Sequence, residues 1–153
     1  MPAVEDRLAA LGRAVPDVAP PVADYVPAAR TGSLVYTSGQ LPLVAGSLMG
    51  TGKVGADVSP EQAAAMAAQC ALNAIAAVRA VIGDLDRVTR VVKVVGFVAS
   101  APGFTGQPAV MNGASELLAA AFGEAGRHAR SAVGVAVLPM DAPVEVEIIV
   151  EIS

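Results

Sequence analysis

Two charged residues near the C-terminal end of the sequence have the types and spacing of a catalytic pair. Arg130 lies in the apolar tract Ala129–Val135, and Glu145 follows fifteen positions later in the alternating tract Val144–Ile152. An arginine is costly to bring into an apolar strand unless it holds an anion, and its planar guanidinium suits a two-pronged grip on a carboxylate. A glutamate in a cleft can have a raised pKa and transfer protons. The pair therefore predicts a site in which Arg130 binds a substrate carboxylate and Glu145 moves protons.

Each charged residue of this region also has an ordinary structural interpretation. Arg130 would form an ion pair with a glutamate of a neighbouring strand, and Glu145 would be an exposed strand residue, as we expect for Glu147 and Glu151. His128 is the sole histidine, and without cysteine or histidine partners it cannot form a typical metal site. We interpret it as a loop residue.

A second motif supports the functional interpretation. The tract Tyr36-Thr37-Ser38-Gly39-Gln40-Leu41-Pro42, taken together with Ala129-Arg130-Ser131, resembles the Rid family of enamine and imine deaminases, also called the YjgF or L-PSP endoribonuclease family. The resemblance extends from about residue 25 to residue 152, and the order and separation of the motifs make it specific. It implies a homotrimer in which the sheets form a central barrel, with three active sites in clefts between subunits and no cofactor.

The resemblance also implies roles for individual residues. Arg130 would hold the substrate carboxylate, and Glu145 would position a proton or a water. Five further positions correspond to residues that line or border the family's cleft: Tyr25, Ser38, Gly39, Asn112 and Ala132. The ordinary alternatives are a ring that fills an interface for Tyr25, a strand bulge for Gly39 and a solvated side chain for Asn112.

The sequence departs from the family pattern close to the arginine. Arg127-His128 takes the place of an aromatic residue followed by proline, and Ala132 takes a position that is often cysteine. These differences leave Arg130 and Glu145 in place, but they leave the native substrate open.

The composition restricts the class of partner. The chain is 54% hydrophobic with few aromatic residues, and a chain of this length cannot bury so much aliphatic surface alone, which favours a subunit interface. A net charge of −4 and the absence of tryptophan argue against nucleic acid as a partner. The longest charge-poor stretch, residues 62–78, is mostly alanine and is poor for a membrane span. We expect a cytoplasmic protein without a membrane partner.

The hydrophobic patterns predict one α+β domain over residues 25–153, preceded by an N-terminal extension over residues 1–24. The predicted order is ββαβαββ, a mixed sheet with two helices packed on one face, which the resemblance makes a chorismate-mutase-like trimeric barrel. The predicted strands are residues 25–30, 34–41, 88–98, 131–138 and 144–152, and the predicted helices are residues 60–82 and 108–122. In the first helix, Gln69 and Asn73 are expected on the polar face.

The resemblance, together with Arg130 and Glu145, predicts a cofactor-independent hydrolytic deaminase. Its substrate would be a small enamine or imine that carries a carboxylate, such as 2-aminoacrylate, and its products would be a 2-keto acid and ammonia. One alternative is a trimer that binds a small ligand or regulates another protein without turnover. The other is an endoribonuclease, which the acidity of the chain disfavours.

Overall fold

The computed structural model describes residues 3–18 and 23–153. In chain order the helices and strands are α1 (Ala3–Ala10), β1 (Ala28–Thr31), β2 (Leu34–Thr37), β3 (Leu43–Val44), β4 (Ser47–Leu48), α2 (Pro60–Ile82), β5 (Val88–Ala99), α3 (Gln107–Phe122), β6 (Ala129–Val135) and β7 (Val144–Ile152). Short 3-10 turns occupy Leu85–Arg87, Gly123–Gly126 and Pro139–Asp141.

The main sheet has five strands in the order β1-β2-β7-β5-β6. β5 and β6 pair in parallel, and the other neighbours pair antiparallel. A parallel pair needs a crossover connection, and α3 provides it. Helices α2 and α3 pack against each other and against the same face of the sheet. This arrangement confirms the predicted α+β class and the order ββαβαββ, to which the structure adds α1 and the β3-β4 hairpin.

Helix α2 begins where its capping residues predict. Ser59 Oγ accepts a hydrogen bond from the Gln62 backbone N–H at 3.1 Å, and Gln62 Oε1 accepts one from the Ser59 N–H at 2.9 Å. Pro60 occupies the first turn, where no N–H partner is needed. Gly83 ends the helix with φ of 80°, a conformation that favours glycine.

Three strand boundaries differ from the predictions. β1 begins at Ala28 rather than at residue 25, after Pro27, which has no N–H to donate to a ladder. β2 ends at Thr37 because the pairing with β7 shifts by one residue before the isolated bridge between Gln40 and Val146. β6 covers Ala129–Val135 rather than residues 131–138, because its parallel partner β5 ends opposite Val135.

The polar face of α2 is covered by another part of the chain at Gln69 and Asn73. Gln69 is only 9% exposed, and its Nε2 donates to Asn73 Oδ1 at 3.1 Å. Asn73 Nδ2 donates in turn to the carbonyls of Leu41 and Leu43, each at 3.0 Å. The chain after β2 covers this face of the helix, and the two amides hold that chain in position through its backbone.

The N-terminal segment is joined to the main core. Val4 and Leu8 of α1 are buried in the same cluster as the inner faces of α2 and α3. Helix α2 is long and apolar enough to cross a membrane, but 67% of its apolar window is buried inside the protein. That burial is typical of the core helix of a globular fold.

Candidate active site

The sequence-predicted site residues fall into two groups on different parts of the chain. Tyr25, Gly39 and Glu145 line one cleft, whereas Arg130 and Asn112 lie together between β6 and α3. Ala132 follows Arg130 on the same face of β6 and is partly buried against the main core. Ser38 belongs to neither group, because its Oγ donates to the Val26 carbonyl at 2.6 Å.

The first group lines a cleft of about 930 Å³ that lies after the end of β2 and beside the beginning of β7. We call it the Glu145 cleft. Its walls are mainly apolar, and they come from the chain after β2, from α2, from the turn before β7 and from the N-terminal segment. The lining residues are Pro16, Asp17, Val18, Tyr25, Pro27, Gly39, Gln40, Leu41, Leu43, Ala45, Gly46, Asn73, Ala76, Pro139, Met140 and Glu145.

Gly39 and Glu145 are in close contact within this cleft. A Cβ atom at position 39 would contact Glu145 Oε1 and would lie 2.8 Å from Cδ and 3.2 Å from Cγ. Gly39 falls in the one-residue shift between β2 and β7, so the bulge that sequence analysis offered as an alternative is present. Gly39 can be both a bulge residue and part of the cleft wall, because the absence of a side chain at this position leaves room for the Glu145 carboxyl group.

The pKa of Glu145 is raised above its ordinary value of 4.5. The main cause is desolvation in the cleft, which disfavours the charged form, and the negative charge of Glu147 contributes in the same direction. A carboxyl group with a raised pKa keeps its proton to higher pH and is suited to donate it.

Strained backbone conformations lie at the rim of the Glu145 cleft. Ala45 and Met140 have φ of 50° and 60°, and Asp141 next to Met140 has φ of 57°. Residues other than glycine avoid this region, and such strain is concentrated at functional sites. A contact between Lys53 Nζ and Asp141 Oδ1 at 2.8 Å holds the turn before β7.

The second group surrounds the guanidinium of Arg130. Nη1 donates to Asn112 Oδ1 at 2.9 Å and to Ser115 Oγ at 3.2 Å, and Nη2 donates to the Pro108 carbonyl at 3.3 Å. All three acceptors are uncharged and belong to α3. Among the described residues no carboxylate pairs with Arg130, so the ion pair considered as an alternative is not formed. The guanidinium keeps its charge available for an anion.

Ser115 and His128 extend this group; the sequence analysis did not name Ser115, and it interpreted His128 as an ordinary loop residue. His128 Nδ1 lies 2.6 Å from the Gly126 carbonyl, which can only accept, so Nδ1 carries a proton. In the neutral ring, Nε2 therefore accepts from Ser115 Oγ at 2.9 Å. This leaves the Ser115 oxygen as an acceptor for Arg130. His128 does lie in a loop, but its half-buried ring supports the arginine. Its position two residues before Arg130 was the only available sequence signal.

Arg130 and Glu145 lie on opposite faces of the sheet of one chain. Arg130 is opposite Val94, which is buried on the helix-covered face, whereas Glu145 alternates with the buried Val144 and Val146 and so projects from the other face. With β5 between their strands, they are also separated by about 10 Å across the sheet and about 10 Å along it. A small substrate cannot contact both groups within one chain.

Comparisons with known proteins agree with this fold over almost the whole chain. A family model described as "YjgF/chorismate_mutase-like, putative endoribonuclease" matches residues 5–152. Protein TCP17 of Trypanosoma cruzi is 46% identical, in an alignment that covers 98% of this chain and 94% of the relative.

Solved structures give the same result. Protein Atu1372 of Agrobacterium tumefaciens, of unknown function, is 49% identical with a TM-score of 0.92 over 99% of this chain and 94% of its own. A "putative endoribonuclease" of Shewanella oneidensis is 34% identical with a TM-score of 0.95 over 98% of this chain and 99% of its own. The YjgF gene product of E. coli is 29% identical, with a TM-score of 0.65 over 88% of this chain and 93% of its own.

Proposed function

The chain belongs to the YjgF/chorismate mutase-like family, and on that basis we propose that it is a cofactor-independent hydrolytic deaminase. Its substrates are enamines and imines that carry a carboxylate. The observation that carries this proposal is the carboxyl group of Glu145, which is half-buried beside Gly39 in a mainly apolar cleft and has a raised pKa. Such a group is suited to protonate a carbon atom and then to accept a proton from water.

The proposed reaction uses one proton donor and one water. Arg130 binds the substrate carboxylate through its two outer nitrogens. Glu145 protonates the terminal carbon of the enamine, which becomes an iminium ion, and Glu145 becomes a carboxylate. Water attacks the iminium carbon and gives up a proton to Glu145. The resulting carbinolamine loses ammonia and leaves a 2-keto acid, with Glu145 protonated as at the start.

This reaction requires Arg130 of one chain beside Glu145 of another. The two side chains project from opposite faces of a sheet, so an assembly that brings the β6 edge of one copy to the Glu145 cleft of the next would complete the site. We propose a homotrimer with such shared sites. Exposed apolar side chains on and next to β2 and β6, among them Tyr36, Val133 and Val137, support an interface there.

The test is ammonia release from freshly generated 2-aminoacrylate, measured against the uncatalysed rate. The proposal expects release above that rate and its loss when Glu145 is replaced by Gln. The alternative is a binding or regulatory trimer, which would bind a 2-keto acid in calorimetry without accelerating ammonia release. That result would reject the deaminase and retain the ligand site.

A further inference from the structure

The N-terminal segment contributes a wall to the Glu145 cleft. Residues 15–18, which we call the N-terminal strap, follow α1, and three of them, Pro16, Asp17 and Val18, line the cleft on which Tyr25 and Glu145 also lie. Neither catalytic role proposed above uses these residues. The strap is therefore a part of the site whose own contribution needs an explanation.

Arg79 of α2 holds the strap in place. Its Nη2 donates to the carbonyls of Val15 and Pro16, each at 3.3 Å, and its Nη1 forms an ion pair with Glu5 Oε1 of α1 at 2.7 Å. Arg79 thus connects the middle of the chain both to α1 and to the strap. Because its side chain is only 29% exposed, water competes poorly for these contacts.

The residues that line the cleft differ in charge and polarity from one part of the wall to another. Asp17 and Glu145 are the charged residues among those that line it, so the described wall is acidic and has no basic side chain. The remaining wall is largely aliphatic, with Val18, Leu41 and Leu43 among its residues. In a single chain the cleft has a volume near 930 Å³, which exceeds what 2-aminoacrylate would fill, and the neighbouring copy would occupy part of it.

We propose that the N-terminal strap is the specificity-determining wall of the Glu145 cleft. It shapes the cleft for the apolar side chain of an imino acid, and Asp17 repels a substrate that carries a second carboxylate. The expected effects on KM and kcat rest on the proposed deaminase function, whereas the expected effects on keto-acid binding do not. The substrate carboxylate bound by Arg130 of the neighbouring chain is the one negative group that the site accepts.

Two pairs of variants separate the role of the strap from general effects on stability. Asp17→Asn removes the charge at the rim, and Asp6→Asn, at an exposed position on α1 outside the cleft, is its control. Arg79→Gln releases the strap. Its control is Arg87→Gln, because Arg87 likewise donates to two carbonyls, of Ile82 and Ser153, but far from the cleft.

Steady-state kinetics with imino acids generated from leucine and from glutamate provides the first readout. Arg79→Gln is expected to raise KM for the leucine-derived imine about tenfold while kcat changes less than about twofold, since the wall acts on binding. Asp17→Asn is expected to reduce discrimination against the glutamate-derived imine about fivefold, as expected for one unit charge acting through water at close range. Both control variants should match the wild type.

Binding of the corresponding keto acids provides a second readout that does not depend on turnover. In calorimetry, 4-methyl-2-oxopentanoate should bind more tightly than 2-oxoglutarate, and Asp17→Asn should narrow the difference about fivefold. If ammonia is released but neither variant changes KM, affinity or discrimination, the strap proposal is wrong and the deaminase stands. If no imine is turned over while the keto-acid preference depends on Asp17, the deaminase is wrong and the strap proposal stands.

Discussion

Replacement of Gly39 by alanine tests whether the position of the Glu145 carboxyl group matters for activity. Gly39 has no positive φ, so its backbone can accept an alanine. The added methyl group would collide with Glu145 Oε1 and would lie 2.8 Å from Cδ. The end of a glutamate side chain can move out of the way, whereas backbone cannot. The substitution should therefore displace the carboxyl group and leave the fold intact.

The structure gives the expected size of the effect of Gly39→Ala on kcat and on the free energy of unfolding. Carbon atoms in contact lie about 3.5 Å apart or more, so Cδ must move by at least about 0.7 Å and the oxygen further. A displacement near 1 Å of a reacting group can lower kcat by about 100-fold. For stability, the alanine should gain about 0.4–1 kcal/mol through the unfolded chain, and a distorted glutamate rotamer should cost about 0.5–1.5 kcal/mol. The net change in unfolding free energy is thus about 1 kcal/mol or less.

The assay combines ammonia release with urea unfolding. Gly50→Ala is the matched control, because its added methyl group would meet Met66 Cε at 2.7 Å, another flexible side-chain end, and neither residue lines the cleft. Gly39→Ala should also have little further effect when Glu145 is already Gln, since the two changes act on one group. A Gly39→Ala protein with wild-type kcat, or an equal loss of kcat in the wild-type and Glu145→Gln backgrounds, would show that the position of the Glu145 carboxyl group does not determine activity.

Three further predictions follow from the same site. Arg130→Ala should lower kcat/KM about 30- to 1000-fold and Arg130→Lys should restore little of it, because a point charge does not reproduce the planar fork; wild-type turnover by a folded Ala variant would contradict this. The raised pKa of Glu145 means that the folded protein binds more protons than the unfolded chain above pH 4.5, so unfolding free energy falls as pH rises there. The unfolding free energy of Glu145→Gln, measured in denaturant curves, should therefore rise relative to that of the wild type as pH increases from 4 to 7. Glu151→Gln, at an exposed position of the same strand, should show no such rise. Finally, Arg130→Ala and Glu145→Gln chains that are unfolded and refolded together should regain activity in mixed trimers. The shared site would be wrong if the protein is a monomer in analytical ultracentrifugation and is fully active in ammonia release.

Local signals made much of the fold predictable from the sequence. Ser59, Pro60 and Gln62 determine where α2 begins, and Gly83 determines where it ends, all through contacts within one turn of helix. The alternation in Val144–Ile152 identified β7 and the face on which Glu145 projects. These features depend on neighbours in the chain, which a sequence displays directly.

The features that were missed depend on contacts between distant segments. Gln69 and Asn73 follow a helical polar face, but the chain after β2 returns to cover them, and nothing near them in the sequence indicates this. The support of Arg130 by Ser115 and His128 likewise depends on how α3 lies over β6. The residues around Arg130 in β6 are small, so no alternation reveals which face of the sheet the arginine occupies.

The opposite faces of Arg130 and Glu145 explain why this fold would need more than one chain for such chemistry. Residues of odd and even number project from opposite faces of a strand, and register with β5 places Arg130 level with Val94 on the helix-covered face but Glu145 level with Phe97 on the open face. No rotamer change brings the two groups together, because the sheet itself separates them. A second chain can bring the two groups together without any change in fold, because the edge strand β6 of one copy can lie against the Glu145 cleft of another.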